Sequence, residues 1–116
     1  MDAQGQPERT TRTRRHQRYE LETELRAAIL GMERREMRGR SLNINEGGIA
    51  GVFVDGWEVG TSVYLQFSVP VTTSPVRVRG VVRNRTGYRY GFEFADLTPE
   101  QQETISRACT TLGLLQ

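Results

Sequence analysis

From residue 19 onward the apolar positions recur at every second residue. Tyr19, Leu21, Leu25, Ala27 and Ile29 share the odd positions with Thr23, and Glu20, Glu22, Glu24 and Arg26 fill the even ones. A period of two predicts a half-buried strand over residues 19–29. Gly31 and Met32 suit a turn. A second, more charged strand is expected over residues 33–44. Its apolar parity slips between Met37 and the pair Leu42 and Ile44, so a bulge or bend is expected near residues 39–41. Gly47 and Gly48 punctuate the chain before a short apolar strand over residues 49–54. Asp55, Gly56 and Gly60 mark a loop carrying Trp57, which is expected to cover a barrel end. Val63, Leu65, Phe67 and Val69 then alternate with Tyr64, Gln66 and Ser68. Pro70 and Pro75 bracket the next loop. Val76, Val78 and Val82 alternate with Arg77, Arg79 and Arg83. Thr86 and Gly87 turn the chain. Beyond them Tyr88, Tyr90, Phe92 and Phe94 share one face, and Arg89 and Glu93 the other.

The period changes near the end. Thr98 is a good N-cap, Pro99 fits the first helical position, and Gln101 completes a capping box. Ile105, Ala108, Cys109 and Leu112 form one apolar stripe, with Gly113 placed to close the helix. Six strands and then a helix predict an all-β fold: a six-stranded antiparallel β-barrel capped or flanked by one C-terminal α-helix. The expected organisation is a flexible tail over residues 1–13 and one domain over residues 14–116. That length can bury a core without disulfides or metal.

Composition narrows the picture. The net charge is only +2, but all 16 basic residues are arginine. Arginine binds phosphate and guanine edges with a planar fork that lysine lacks; codon usage is the plainer cause of the missing lysines. A single cysteine, Cys109, can form no intrachain bridge, which fits a reducing compartment. No apolar run is long enough for a spanning helix, and residues 1–13 lack the apolar stretch of a secretory signal. The expectation is a cytoplasmic protein with no membrane insertion. His16 is the sole histidine and Cys109 lies on the apolar stripe, so no zinc set forms. Glu20, Glu22 and Glu24 line the outer face of a strand. These observations predict a non-enzyme without metal or cofactor.

Two segments carry ligand chemistry. Five of the ten residues 9–18 are arginine, and Arg14 and Arg18 stand four apart just before the first strand. Guanidinium groups bond phosphate in pairs of hydrogen bonds and stack on bases. The bland alternative is a basic tail with no fixed partner. Residues 43–48 read Asn-Ile-Asn-Glu-Gly-Gly. Asn43 and Asn45, two apart at a strand end, point the same way. Their amides suit a guanine edge, and Gly48 lets a ligand lie against the backbone. An ordinary β-turn would use the same residue types.

The order and spacing of these segments resemble the PilZ domain family. Arg14, Arg15, His16, Gln17 and Arg18 are similar to its pair of arginines separated by three residues. Residues 43–48 are similar to its second motif: Asp or Asn, any residue, Ser, any two residues, Gly. The run from Tyr90 through Phe94, followed by Leu97, Thr98, Pro99 and Glu100, resembles its last strand and helix start. The resemblance spans residues 14–112. It implies a six-stranded barrel that binds the bacterial second messenger cyclic di-GMP and acts through a downstream protein partner. Arg14 and Arg18 would hold phosphates and guanine, with Arg15 as an additional contact. Asn43 and Gly48 would meet a guanine, and Asn45 stands where the family usually has serine. Two other readings stay open: a PilZ-like adaptor that no longer binds nucleotide, and a small barrel that binds nucleic acid. The arginines at 77, 79, 83, 85 and 89 favour the latter; the lack of a stacking platform counts against it.

Overall fold

The computed structural model describes residues 17–116. Its strands are β1 Tyr19–Glu20, β2 Glu24–Ile29, β3 Met37–Asn45, β4 Gly48–Val52, β5 Ser62–Phe67, β6 Val76–Thr86 and β7 Arg89–Ala95. All pairings are antiparallel. The order β3-β2-β5-β6-β7-β4 closes on itself through the β3–β4 pairing. β1 and β2 lie along the same side of β3, so the barrel has six staves, the first in two segments. The expected barrel is therefore the observed one.

The single strand expected over residues 19–29 is interrupted at residues 21–23. The cause is an irregularity in β3. The β3–β4 register shifts between Ser41 and Asn43, leaving Leu42 as the extra residue. The bulge thus falls just beyond residues 39–41, where the parity slip had placed it. Inward positions run through Ser41 and resume at Ile44. Buried Ser41 bridges the break: its hydroxyl accepts from the Thr23 N–H at 3.0 Å and donates to the Leu21 carbonyl. A side chain thereby replaces the ladder bonds that the bulge removes.

A second shift lies between Val82 and Asn84 in the β6–β7 pairing, with Arg83 as the extra residue. Val82 pairs with Phe92 on the inner side, and Arg85 pairs with Tyr90. The five hairpin arginines therefore do not share one face. Arg85 is carried over the Tyr90 ring, 5.2 Å from its centre. The turn itself is a two-residue loop, with Gly87 at φ 61° in its first position. Tyr88 occupies the second and is exposed, so it does not extend the inward row of Tyr90, Phe92 and Phe94.

The two ends of the barrel are closed differently. At one end buried Trp57 packs edge-on against Phe53, Tyr90 and Phe92, with ring centres 5.0, 5.6 and 6.0 Å away. At the other lies the helix Pro99–Leu115, begun by the Thr98–Gln101 capping box. The Gln101 amide also donates to the Arg77 carbonyl at the start of β6. Ile105, Ala108, Cys109 and Leu112 enter the core. Gly113 does not end the helix, as its position suggests; the helix continues to Leu115, with Gln116 as C-cap. A Cβ on Gly113 would stand 3.0 Å from the Tyr19 ring, so its role is to seat Tyr19.

Cys109 is a core residue. Burial, with the Glu46 charge as the smaller cause, pushes its thiol up to about 11. Ionisation is thus disfavoured in the fold, and stability is lost as pH rises from the ordinary thiol value towards 11. The native thiol is expected to react with Ellman's reagent far more slowly at pH 8 than in denaturant. Equal rates would show that the helix opens readily.

Candidate ligand cleft

The sequence places the arginine segment and the amide-glycine corner 25 residues apart. The fold brings them into contact. β1 pairs with the end of β3, setting Tyr19 opposite Ile44 and Glu20 opposite Asn43. Arg18 therefore leaves the sheet beside Asn43, and its guanidinium donates to Asn43 Oδ1 at 2.9 Å. Arg14 and Arg15, with the expected tail, lie outside the described residues.

Arg18 forms one wall of an open cleft of about 270 Å³. The β3–β4 turn supplies Asn45, Gly47 and Gly48. β7 supplies Gly91, Phe92 and Glu93, and the β6 bulge supplies Arg83 and Asn84. Asn43 is not part of this lining; it reaches the cleft through its bond to Arg18.

Each residue of the corner also has a local role. Asn45 is buried, and its Oδ1 accepts the Gly47 N–H at 2.8 Å, closing the two-residue turn. Asparagine suits that turn, which gives a structural reason for its presence in place of the family's serine. Its amide nitrogen makes no hydrogen bond among the described residues. Gly48 pairs with Glu93 across β4 and β7, and a Cβ there would lie 2.2 Å from the Phe92 carbonyl oxygen. Gly48 is thus required for strand approach, whatever lies over it. At Gly91 a Cβ would meet the Asn84 side-chain amide at 2.5 Å, a group that can swing aside.

The chemistry of the walls is mixed. Arg83 donates to Glu93, and the pair is half exposed. The cleft so presents two guanidinium groups, a carboxylate and two amides. Such a set can meet an anion and the hydrogen-bonding edge of a purine together. Sequence reasoning missed Arg83, Asn84 and Glu93, because period-two alternation assigned Arg83 and Glu93 to a solvated hairpin face. The arginines keep odd parity through Arg83 and Arg85, so the sequence carries no signal of this bulge.

The remaining hairpin arginines are engaged elsewhere. Arg77 stacks over Tyr64 at 4.2 Å, and Arg79 meets Asp96 at 3.7 Å. With Arg83 on Glu93 and Arg85 over Tyr90, the continuous cationic face expected for nucleic acid is broken up. Among the described residues no cluster of histidine, cysteine or carboxylate side chains could hold a metal ion, and no helix is long and apolar enough to cross a membrane.

The fold and the cleft thus supply a closed barrel, an arginine before its first strand and an amide-glycine turn beneath that arginine. The PilZ domain model matches residues 12–111, and the chain belongs to that family. PilZ domains are regulatory and binding domains, not enzymes. No curated protein matches the sequence. Among solved structures, the inhibitor of motility MotI/DgrA of Bacillus subtilis superposes with a TM-score of 0.72 at 22% identity. That match covers 85% of this chain and 50% of MotI, so this chain spans half of that protein. The PilZ domain of CeSA from a cellulose-synthesizing bacterium gives 0.67 at 15% identity, covering 86% of this chain and 99% of that one. The PilZ domain of YcgR from Escherichia coli, solved with cyclic di-GMP, gives 0.67 at 10% identity, covering 85% and 90%.

Proposed function

We propose that this chain is a receptor for cyclic di-GMP that passes the signal to a separate protein. The observation carrying this reading is the hydrogen bond from Arg18 to Asn43, which fixes an arginine over the Asn45–Gly48 turn. Arg18 and Arg83 would take the phosphates, and the amide of Asn45 and the Glu93 carboxylate would meet guanine edges. Arg14 and Arg15 would add phosphate or stacking contacts from the preceding segment. The neighbouring YcgR domain, solved with this ligand, supports the choice of nucleotide. Titration calorimetry with cyclic di-GMP tests the reading. Saturable heat is expected, and its absence at high ligand concentration overturns it.

One observation favours a second reading, an adaptor that binds a protein and no nucleotide. Asn45 and Gly48 both have work to do in the fold without a ligand. Asn45→Ser separates the two. Serine retains an oxygen that can accept from Gly47, and it clears bulk from the cleft wall. Under the receptor reading the substitution removes the amide that meets guanine and weakens binding by up to about tenfold. Tighter binding would show that the bulk of Asn45 costs affinity, and no binding in either form is the adaptor's outcome.

A further inference from the structure

The last turn of the helix and its C-cap are joined to β1. Gln116 Oε1 accepts the Glu20 N–H at 2.9 Å, and its Nε2 donates to the Glu20 carbonyl at 2.8 Å. One side chain thus bonds both polar groups of a single residue, as a neighbouring strand would. It does so on the two-residue strand β1, which is too short to hold its own register. One turn earlier, Gly113 leaves room for the Tyr19 ring. Tyr19 and Glu20 are the two residues that follow Arg18, so their backbone decides where the Arg18 guanidinium can reach.

We infer that the C-terminal turn of the helix is a positioning device for the ligand cleft, with Gln116 and Gly113 acting through β1 to hold Arg18 over the Asn45–Gly48 turn. This deepens the receptor reading and rests on it. Gln116 is not among the residues that line the cleft; its hydrogen bonds go to Glu20, next to Tyr19. Because coupling is reciprocal, a ligand gripping Arg18 also tightens the Gln116 clamp. Occupancy of the cleft is thereby felt at the helix end, where Leu114 and Leu115 are exposed.

Three variants of the full chain test this. Gln116→Met keeps the side-chain length and removes both hydrogen bonds. Gln116→Ala removes the bulk as well. Gly113→Ala improves helix propensity while pressing on Tyr19. Cyclic di-GMP affinity is expected to fall about tenfold in both Gln116 variants and about fivefold in Gly113→Ala, with the last melting no lower than the parent. A purely structural role would instead move affinity and melting temperature together. Hydrogen exchange supplies a readout that needs no ligand: the Glu20 amide should exchange at least about tenfold faster in Gln116→Met, and ligand should slow it in the parent. If the parent binds and all three variants bind equally well, the positioning role is overturned and the receptor reading stands. Unchanged Glu20 exchange in Gln116→Met overturns it too. If the parent itself gives no binding, the receptor reading fails and takes the positioning role with it.

Discussion

Replacing Arg18 by alanine is expected to lower cyclic di-GMP affinity by about 100-fold, with little change in melting temperature. Arg18 is exposed and makes a single hydrogen bond among the described residues, to Asn43. An exposed contact of that kind contributes little to folding. Towards a phosphate the same group offers two parallel charge-assisted bonds, each stronger than a neutral one. Losing them costs about 3 kcal/mol, which is the 100-fold change. Arg18→Lys keeps the charge and loses the fork, so an intermediate loss of about tenfold is expected. Calorimetry at two salt concentrations makes the comparison. Affinity surviving intact in Arg18→Ala would move the binding site off this cleft.

Gly48→Ala is expected to damage the fold itself. The added methyl would meet a backbone carbonyl oxygen, that of Phe92, at 2.2 Å. A main-chain atom in a closed barrel cannot swing aside as a side chain can, so β4 must part from β7 at that point. The expected loss is about 2–3 kcal/mol, which for a domain of this size lowers the melting temperature by roughly 10–20 °C. Gly47→Ala is the matched control, one residue away. Its methyl would meet only Asn45 Oδ1, at an ordinary 3.6 Å, and a change within about 0.5 kcal/mol is expected. Thermal melts followed by circular dichroism compare the two. Equal stability would mean that the strand pair yields more easily than a closed barrel should. Ligand loss in Gly48→Ala therefore carries no message about contact until the melt has been measured.

The barrel was legible in the sequence because its core is written in alternation. Leu25 and Ala27, then Val63, Leu65 and Phe67, keep strict parity and are all buried. The helix was equally plain, since the capping box is a local signal that needs no tertiary information. Alternation marks a break only where apolar residues flank it: the Leu42 bulge shows as a parity slip, whereas Asn84, Arg85 and Thr86 after Arg83 are polar and show none. The bulges at Leu42 and Arg83 each rotate the following residues, and each lies beside the cleft. Arg83 and Glu93 are exposed, as alternation predicts, but they also border the cleft, and the bulge turns Arg85 onto the Tyr90 ring. Of the site, Arg18, Asn43, Asn45 and Gly48 were visible as residue types at family spacing. Their meeting point was not, because it depends on pairing Glu20 with Asn43 across 23 residues of chain. Gln116 was invisible for a related reason. Nothing in a glutamine at residue 116 announces that its amide will stand in for a strand.

The chain's sole tryptophan gives the barrel an optical gauge. Its indole is shielded from water, so emission should lie towards the blue while that mouth stays shut and move to longer wavelength when it gapes. Phe92 stands between indole and cleft, touching one by its ring and bordering the other. A nucleotide settling on the outside of that strand therefore has one aromatic layer to cross before it alters the fluorescence, and no dye need be attached to watch it arrive.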